Sequence, residues 1–476
     1  MSVDDAIRFL PELILILAAT LIMVCDPLTS THRKSTLAVL AFVALLAALA
    51  ATAYSSTDPG KAFFGMIVVD GFATFFRAIV IVVGLLTVLS SNRFLEREGA
   101  NSGEFYALLL FSISGQSMMA ASNELIILFI GLEISSIASY VMAGFLRDDS
   151  RANESALKYF LLGSFASAFL LYGIALVYGV TGATNLSDIG SRMQPDSLLG
   201  GVAAALMFVG FGFKISGAPF QMWAPDVYQG APTPVTAFLS AGPKAAAFAV
   251  FVRVFTVAFG NIGDRWEPLI WISALLSMTI GNFAALGQTN VKRMLAYSSI
   301  AHAGYVLVAI TARSESGVAA VMLYLGAYAL MNVGAFTVVG HISRKGERYL
   351  RVEDLSGLGV RQPLTAAMFS IFLLSFIGVP LTAGFFGKFY IFKAALQSDL
   401  IWLTVLGLLN SAVAAYYYLR VLVVMYMQEP GEAVNEVEPL SPALRLSLIC
   451  SAAGTLILGI FPSGALHFAV KSAVLK

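Results

Sequence analysis

Charge is scarce in this chain. Only 12% of its 476 residues are Asp, Glu, Lys or Arg, against 58% hydrophobic, whereas a soluble domain carries about 25% charged residues. The deficit runs the whole length. It excludes a soluble domain held by one anchor and implies a polytopic membrane protein. Cysteine and histidine are scarcer still, with two and four copies. Cys25 and Cys450 lie far apart in apolar runs and read as small buried hydrophobes. No Cys pair or His cluster offers a metal or redox site. A net charge of +1 removes the electrostatic case for a nucleic-acid partner. No cleavable leader is expected from the first segment. The opening DDAIRFLPELILILAATLIMV puts acids before its apolar core and has no basic n-region, so it reads as a retained helix. Long polar loops are absent, so function must reside mostly among the membrane spans.

What the chain does contain is a series of apolar runs. A span of about 20 such residues crosses roughly 30 Å of hydrocarbon. Fourteen runs qualify, near 7–25, 34–54, 66–90, 104–121, 124–146, 155–179, 198–222, 233–259, 268–287, 293–311, 317–342, 363–392, 399–427 and 442–462. They predict an all-α membrane fold. The fourth and fifth are separated only by AASNE, and the seventh, eighth and twelfth carry Gly and Pro where a regular helix would be interrupted. Basic residues concentrate in HRK, NRFLERE, RDDSR, NVKR and HISRKGERYLRVED. The positive-inside rule puts these loops in the cytoplasm and both termini outside.

Placing a charge at the centre of a bilayer helix costs roughly 2.5–3.5 kcal/mol on insertion scales, while residues near an end can snorkel. Position therefore selects the charges that need a functional account. Glu133 lies mid-span in NELIILFIGLEISSIASYVM, beyond snorkelling reach of either end, and Glu124 begins the same run as an interfacial or capping residue. Lys158 is about one turn inside its span and could snorkel or meet Glu133 from the next helix. Lys244 follows Pro243 among small residues in GPKAAA, and Arg253 lies further along that span. Lys388 follows GVPLTAGFFG, where a broken helix frees carbonyls that could hold a cation or water. Lys214 precedes ISGAPFQMWAPDVYQGAPTP, whose four prolines forbid a continuous helix. His302 is mid-span near Ser298, Ser299 and Tyr305, and suits either a proton relay or a satisfied core position. Lys292 could face water or the bundle, Lys393 is near enough to its span end to snorkel, and Asp226 could pair with a lysine or cap a short helix.

A row of lysines with one carboxylate suits proton movement. Lysine gains or loses its proton according to burial and the nearness of an acid, which arginine does not do. A sugar or peptide carrier would instead need a roomy polar cavity.

The residues that carry these charges also carry a family likeness. The segments LPELILILAATLIMVCD, FIGLEISSIASYVMAGF, ALKYFLLGSFASAFLLYGIALVYGVTGATNL, FKISGAPFQMWAPDVYQGAPTPVTAFLSAGPKAAAF, NVKRMLAYSSIAHAGY and GVPLTAGFFGKFYIF span essentially the whole chain. In them the chain resembles the antiporter-like membrane subunits of bacterial respiratory complex I, which are related to subunits of multi-component Na+/H+ antiporters. Within that family it is most similar to the N-subunit branch. The resemblance implies three N-terminal helices (1–92), two five-helix repeats of inverted topology (104–259 and 268–427), each with a broken helix, and a C-terminal helix and tail (442–476). It matches Glu133, Lys158, Lys214, Lys244 and Lys388 to the family's proton-carrying positions.

The resemblance further implies no cofactor in this chain. NADH, flavin (FMN), iron–sulfur clusters and quinone would belong to partner subunits. Its partners would be other membrane-arm subunits and lipids of the bacterial inner membrane. The expected mechanism has Glu133 pairing alternately with Lys158 or Lys214, and Lys244 and His302 conducting towards Lys388. The alternatives are a subunit of a cation/proton antiporter or membrane-bound hydrogenase, a solute transporter, and a passive scaffold.

Overall fold

The computed structural model describes residues 3–29 and 34–475. His32 and Arg33 of the first basic loop lie outside the described residues. The chain opens with the short helix α1 (Val3–Arg8), then α2 (Leu10–Cys25) and α3 (Ser35–Ser55). A small antiparallel hairpin follows, β1 (Gly60–Ala62) on β2 (Ile67–Val69), and then α4 (Gly71–Glu98). The next set is α5 (Gly103–Ala121), α6 (Leu125–Ala143), α7 (Ser150–Thr181), the short α8 (Leu186–Arg192), α9 (Leu198–Ile215), α10 (Trp223–Gly230) and α11 (Thr233–Arg253). Then come α12 (Gly263–Leu286), α13 (Val291–Thr311), α14 (Glu315–Ile342), the short α15 (Leu358–Arg361), α16 (Pro363–Ile377), α17 (Ala383–Gln397) and α18 (Ile401–Met427). The chain closes with α19 (Glu432–Asn435), α20 (Pro442–Ile460) and α21 (Ser463–Ser472).

Twelve helices among the described residues are long and apolar enough to cross a membrane. Two crossings complete the expected fourteen. One is α5, of 19 residues, whose last turns read SISGQSMM and dilute its apolar character. The other is α16 with α17, two shorter helices in series. Side-chain caps set several starts. Asp70 accepts from the Ala73 amide at 2.7 Å, so the third span begins at Gly71, and the apolar residues before it form β2 instead of helix. Glu124 accepts from the Ile127 amide at 2.8 Å and separates α6 from α5, which resolves the junction at AASNE.

From α5 onwards the crossings form two sets of five, α5–α11 and α12–α18, and in each set the fourth crossing is broken. Because five is odd, the second set enters from the opposite face, so the two sets are inverted repeats. Helices α11, α13 and α14 form the centre. Nearly every residue of their apolar stretches is buried, whereas α2, α7, α18 and α20 present large apolar side chains such as Leu17, Phe165, Trp402 and Ile457 on the perimeter. Cys450 is exposed on that perimeter and Cys25 is half-buried, so neither sits in the protein core. For a helix at the edge of the bundle, bilayer hydrocarbon supplies the apolar surroundings instead.

Backbone groups freed inside a bilayer need internal partners. At the first break α9 ends on Ser216 in the left-handed region (φ 59°), and the Ala218 amide donates to Ser277 Oγ of α12 at 2.8 Å. Ser273 Oγ, also on α12, donates to the Ala218 carbonyl. The second repeat thus stitches the break of the first. At the second break α16 ends on Gly378 (φ 93°), and the Gly384 amide donates to Ser375 Oγ at 3.0 Å.

Candidate functional site

The central helices bring three of the expected residues into one buried row. Lys244 is 1% exposed. Its Nζ donates to the Ser299 carbonyl at 3.0 Å and to the Ser299 hydroxyl, on α13. Lys388 sits on α17 just past the second break, and its Nζ donates to the Phe376 and Ile377 carbonyls at 2.9 and 3.0 Å. The carbonyls freed at that break therefore hold a cation, and the cation is the lysine itself. Ser411 Oγ of α18 accepts its third bond at 2.7 Å.

His302 lies between them. Nδ1 bonds the Tyr324 hydroxyl, and Nε2 bonds the Tyr418 hydroxyl at 3.1 Å. Tyr418 also bonds Ser298. Rings connect the row on both sides. Lys244 Nζ is 6.0 Å from the centre of the Tyr328 ring, which lies 5.2 Å from the His302 ring. On the other side His302 touches Tyr305 and Phe376, at 5.8 and 5.2 Å between ring centres, and Lys388 Nζ lies 4.8 Å over Tyr305. Neither Lys244 nor Lys388 has a carboxylate within ion-pair distance among the described residues. Burying a permanent unpaired cation is costly. Hydroxyl, carbonyl and imidazole partners suit a group that is charged for only part of a cycle.

Lys214 occupies the last turn of α9, before the first break. Its Nζ donates to the Tyr140 hydroxyl at 3.3 Å. It lies 5.0, 5.4 and 5.8 Å from the ring centres of Tyr140, Tyr159 and Phe213. Trp223 of α10 stacks on Tyr159 at 4.5 Å and donates its indole N–H to the Phe213 carbonyl at 2.9 Å, closing the cage across the break. Electron-rich ring faces stabilise an ammonium group without an acid.

Glu133 and Lys158 do not meet, contrary to the expected pairing. Ser167 Oγ donates to Glu133 Oε1 at 2.6 Å. Ser167 is nine residues along α7 from Lys158, about 13 Å of helix. Lys158 is instead near the start of α7, paired with Glu154 and Asp226, both at 2.7 Å. No ion pair joins Glu133 to Lys214 either. Tyr140, seven residues or about 10 Å further along α6, takes that lysine.

Asp226, within α10, pairs with a lysine as the sequence allowed, and its second oxygen accepts from Arg293 Nη1 at 2.7 Å. Other partners were not specified by the sequence. Lys292 faces the bundle. It is fully buried, pairs with Glu347 Oε2 at 2.8 Å and donates to the Ala231 carbonyl at 2.6 Å. Glu347 reaches back from the loop after α14 to accept the Thr233 amide at the start of α11 at 2.8 Å. Arg253 holds Asp70 with two bonds of 2.9 Å. Glu12 pairs with Arg77 at 2.8 Å, both fully buried. The only sequence signal for these pairs was the presence of charge in or beside an apolar run.

The family model for the membrane region of NADH:quinone oxidoreductase and Mrp antiporter subunits matches residues 122–414. "NADH-quinone oxidoreductase subunit N 1" of Solibacter usitatus is 66% identical over 99% of this chain and 97% of its own length. "NADH-quinone oxidoreductase subunit N" of Trichlorobacter lovleyi is 45% identical over 98% of this chain and 96% of its own. Among solved structures, a chain of respiratory complex I from Thermus thermophilus superposes with a TM-score of 0.84 at 34% identity, covering 97% of this chain and 99% of that one. A chain of the Mrp complex from Dietzia shares the fold, with a TM-score of 0.87 at 21% identity over 99% of this chain and 97% of that one. End-to-end identity of this order, joined to superposition along the whole chain, shows that the chain belongs to the subunit N family of NADH-quinone oxidoreductase, antiporter-like membrane subunits, and is part of that oxidoreductase complex.

Proposed function

We propose that this subunit moves protons across the bacterial inner membrane along a row comprising Glu133, Lys214, Lys244, His302 and Lys388, the last three of them buried, driven by quinone reduction elsewhere in the complex. One observation carries the reading. Lys244 and Lys388, deep in the bundle, are ligated only by carbonyl and hydroxyl oxygens, and His302 with its tyrosines spans the space between them. Each group accepts or donates a proton without leaving its place. Serine and tyrosine hydroxyls do both at once, so a proton passes by exchange of bonds rather than by diffusion of a carrier. Lys214 in its aromatic cage belongs to the same row on the first-repeat side. Lys158 stands apart from it and acts at the end of the bundle that carries the basic loops.

In this reading the repeats run over 104–259 and 268–427, flanked by 1–92 and 442–476. An even number of crossings puts both termini on one side, and the basic loops put that side outside. NADH, FMN, iron–sulfur clusters and quinone are handled by partner subunits. The test is the proton-to-electron ratio of the assembled complex in sealed vesicles carrying Lys214→Ala or Lys388→Ala. Loss of this subunit's share of the ratio is expected. An unchanged ratio in both variants, with assembly verified on native gels, overturns the assignment.

A further inference from the structure

Between Lys214 and Lys244 lie two buried hydroxyls. Tyr228, inside α10, is fully buried, and so is Ser216, the residue on which α9 ends. Neither hydroxyl makes a hydrogen bond of ordinary geometry with the described residues. Leaving a buried polar group unbonded costs about 1–3 kcal/mol, because its hydration is lost without replacement. The two are nevertheless close to polar neighbours. The Tyr228 hydroxyl lies beside the side chains of both Ser216 and Ser299.

Ser299 leads on to Lys244. Its hydroxyl accepts from Lys244 Nζ, so its own O–H points to another acceptor. Tyr228 and Tyr328 both lie beside it. The Tyr328 oxygen already accepts from Asn332 Nδ2 at 2.9 Å, whereas that of Tyr228 is unbonded. Ser216 leads the other way, since Lys214 stands two residues before it. Its φ of 59° lies in the left-handed region that glycine occupies most readily, and at the second break α16 ends on such a glycine, Gly378. Serine at the first break puts a hydroxyl where backbone conformation alone would favour none.

Tyr228 is held firmly between these neighbours. Asp226, two residues earlier, pairs with Lys158 and Arg293, each at 2.7 Å. Gln229, the next residue, accepts from Arg293 at 3.0 Å. The ring packs edge-on against Trp223 and Phe336, 5.9 and 6.2 Å between centres. A fixed ring with an unbonded hydroxyl leaves one useful freedom, rotation of the O–H bond.

We propose that Tyr228 is a further proton-transfer residue, passing protons between Ser216 at the first break and Ser299 beside Lys244. Its oxygen takes a proton on a lone pair as it releases its own on the other side, so the tyrosine is neutral before and after. One proton leaves the lysine on one side, each hydroxyl exchanges one for another, and one proton reaches the lysine on the other side. No electron moves, and the O–H bonds return by rotation. The inference rests on the proton row proposed above.

The test uses the assembled complex in vesicles, read as proton-coupled NADH–quinone turnover, proton-to-electron ratio and denaturation temperature. Tyr228→Phe removes the hydroxyl and keeps the ring. Ser216→Gly removes the other hydroxyl and suits the left-handed backbone better. Each is expected to slow coupled turnover about a hundredfold, the lower range for a positioned proton-transfer group. The double variant should be no worse than either alone, since both break one path. The denaturation temperature should hold in both. A packing role predicts the reverse, with Ser216→Gly fully active and Tyr228→Phe less stable, and that result overturns the proposal. Multiplicative losses in the double variant, or normal turnover and ratio in either single one, also overturn it. Should Tyr228→Phe fail to assemble, Ser216→Gly decides alone. If Lys214→Ala loses the ratio while Tyr228→Phe and Ser216→Gly keep it, only the tyrosine relay fails. If Lys214→Ala and Lys388→Ala both keep it, the proton row fails instead.

Discussion

Gly163, on α7, offers a sharp test of how Lys214 is held. A Cβ built there would lie 2.1 Å from the Tyr140 hydroxyl oxygen and 2.7 Å from its Cζ. Ordinary contact begins at 3.4 Å, so in Gly163→Ala the hydroxyl must retreat by about 1.3 Å. Its bond to Lys214 is already 3.3 Å long, and a retreat of that size takes it past the limit for a hydrogen bond. A hydrogen bond to a charged group contributes about 1.5–3 kcal/mol. Since each 1.4 kcal/mol is a factor of ten in rate, the variant should slow proton-coupled turnover by about ten- to a hundredfold. The assay is NADH–quinone turnover with proton uptake in vesicles holding the purified complex, after native gels confirm assembly. Gly179→Ala on the same helix is the control, because nothing lies within 4 Å of its Cβ. Equal turnover and equal proton-to-electron ratio in the two variants would refute the view that Tyr140 positions Lys214.

Glu347→Gln leaves Lys292 buried without its counter-ion, and breaking a buried pair destabilises by about 3–5 kcal/mol. It should lower the denaturation temperature of the purified complex, and Lys292→Met combined with Glu347→Leu should recover most of the loss. An unchanged denaturation temperature in Glu347→Gln counts against the pair as a stabilising anchor within the second repeat. Tyr418→Phe removes the hydroxyl shared by His302 and Ser298. Loss of a neutral bond of about 0.5–1.5 kcal/mol predicts coupled turnover slowed only a few-fold. No slowing would mean that His302 works through Tyr324 alone. In Gly384→Ala the new Cβ would fall 1.8 Å from the Ser375 carbonyl oxygen. The halves α16 and α17 must then part, and assembly or the proton-to-electron ratio should be lost. A fully assembled, fully coupled variant would show that the break tolerates a wider gap around Lys388.

Much of the fold was legible in the sequence because a bilayer is a solvent with one decisive property. Hydrocarbon rejects unpaired polar backbone, so apolar runs of the right length become helices whatever their neighbours do. All fourteen crossings could be located from hydropathy, and the two interruptions from Gly and Pro, although the same signal marked the eighth span, where α11 runs unbroken through Pro243. Single boundaries moved where a local bond outranked hydropathy, as when Asp70 started α4 after β2 rather than at residue 66.

The candidate site was legible as a set of residues and illegible as a set of pairs. The cost of a buried charge singled out Glu133, Lys214, Lys244, His302 and Lys388 without reference to any neighbour, because burial in a span is a property of one residue and its run. Pairing depends on heights along different helices and on the faces those helices turn to one another. Lys158 looked like a partner for Glu133 because their helices are consecutive. Only the packed bundle shows Lys158 level with Asp226 and Glu133 level with Ser167. Likewise no pattern in the chain says that Glu347 folds back to the start of α11, or that Lys388 turns onto the last carbonyls of α16. The sequence by itself determined which groups enter the membrane. The tertiary structure decided which of them touch, because a hydrogen bond needs two atoms within about 3 Å and hydropathy carries no information about distance.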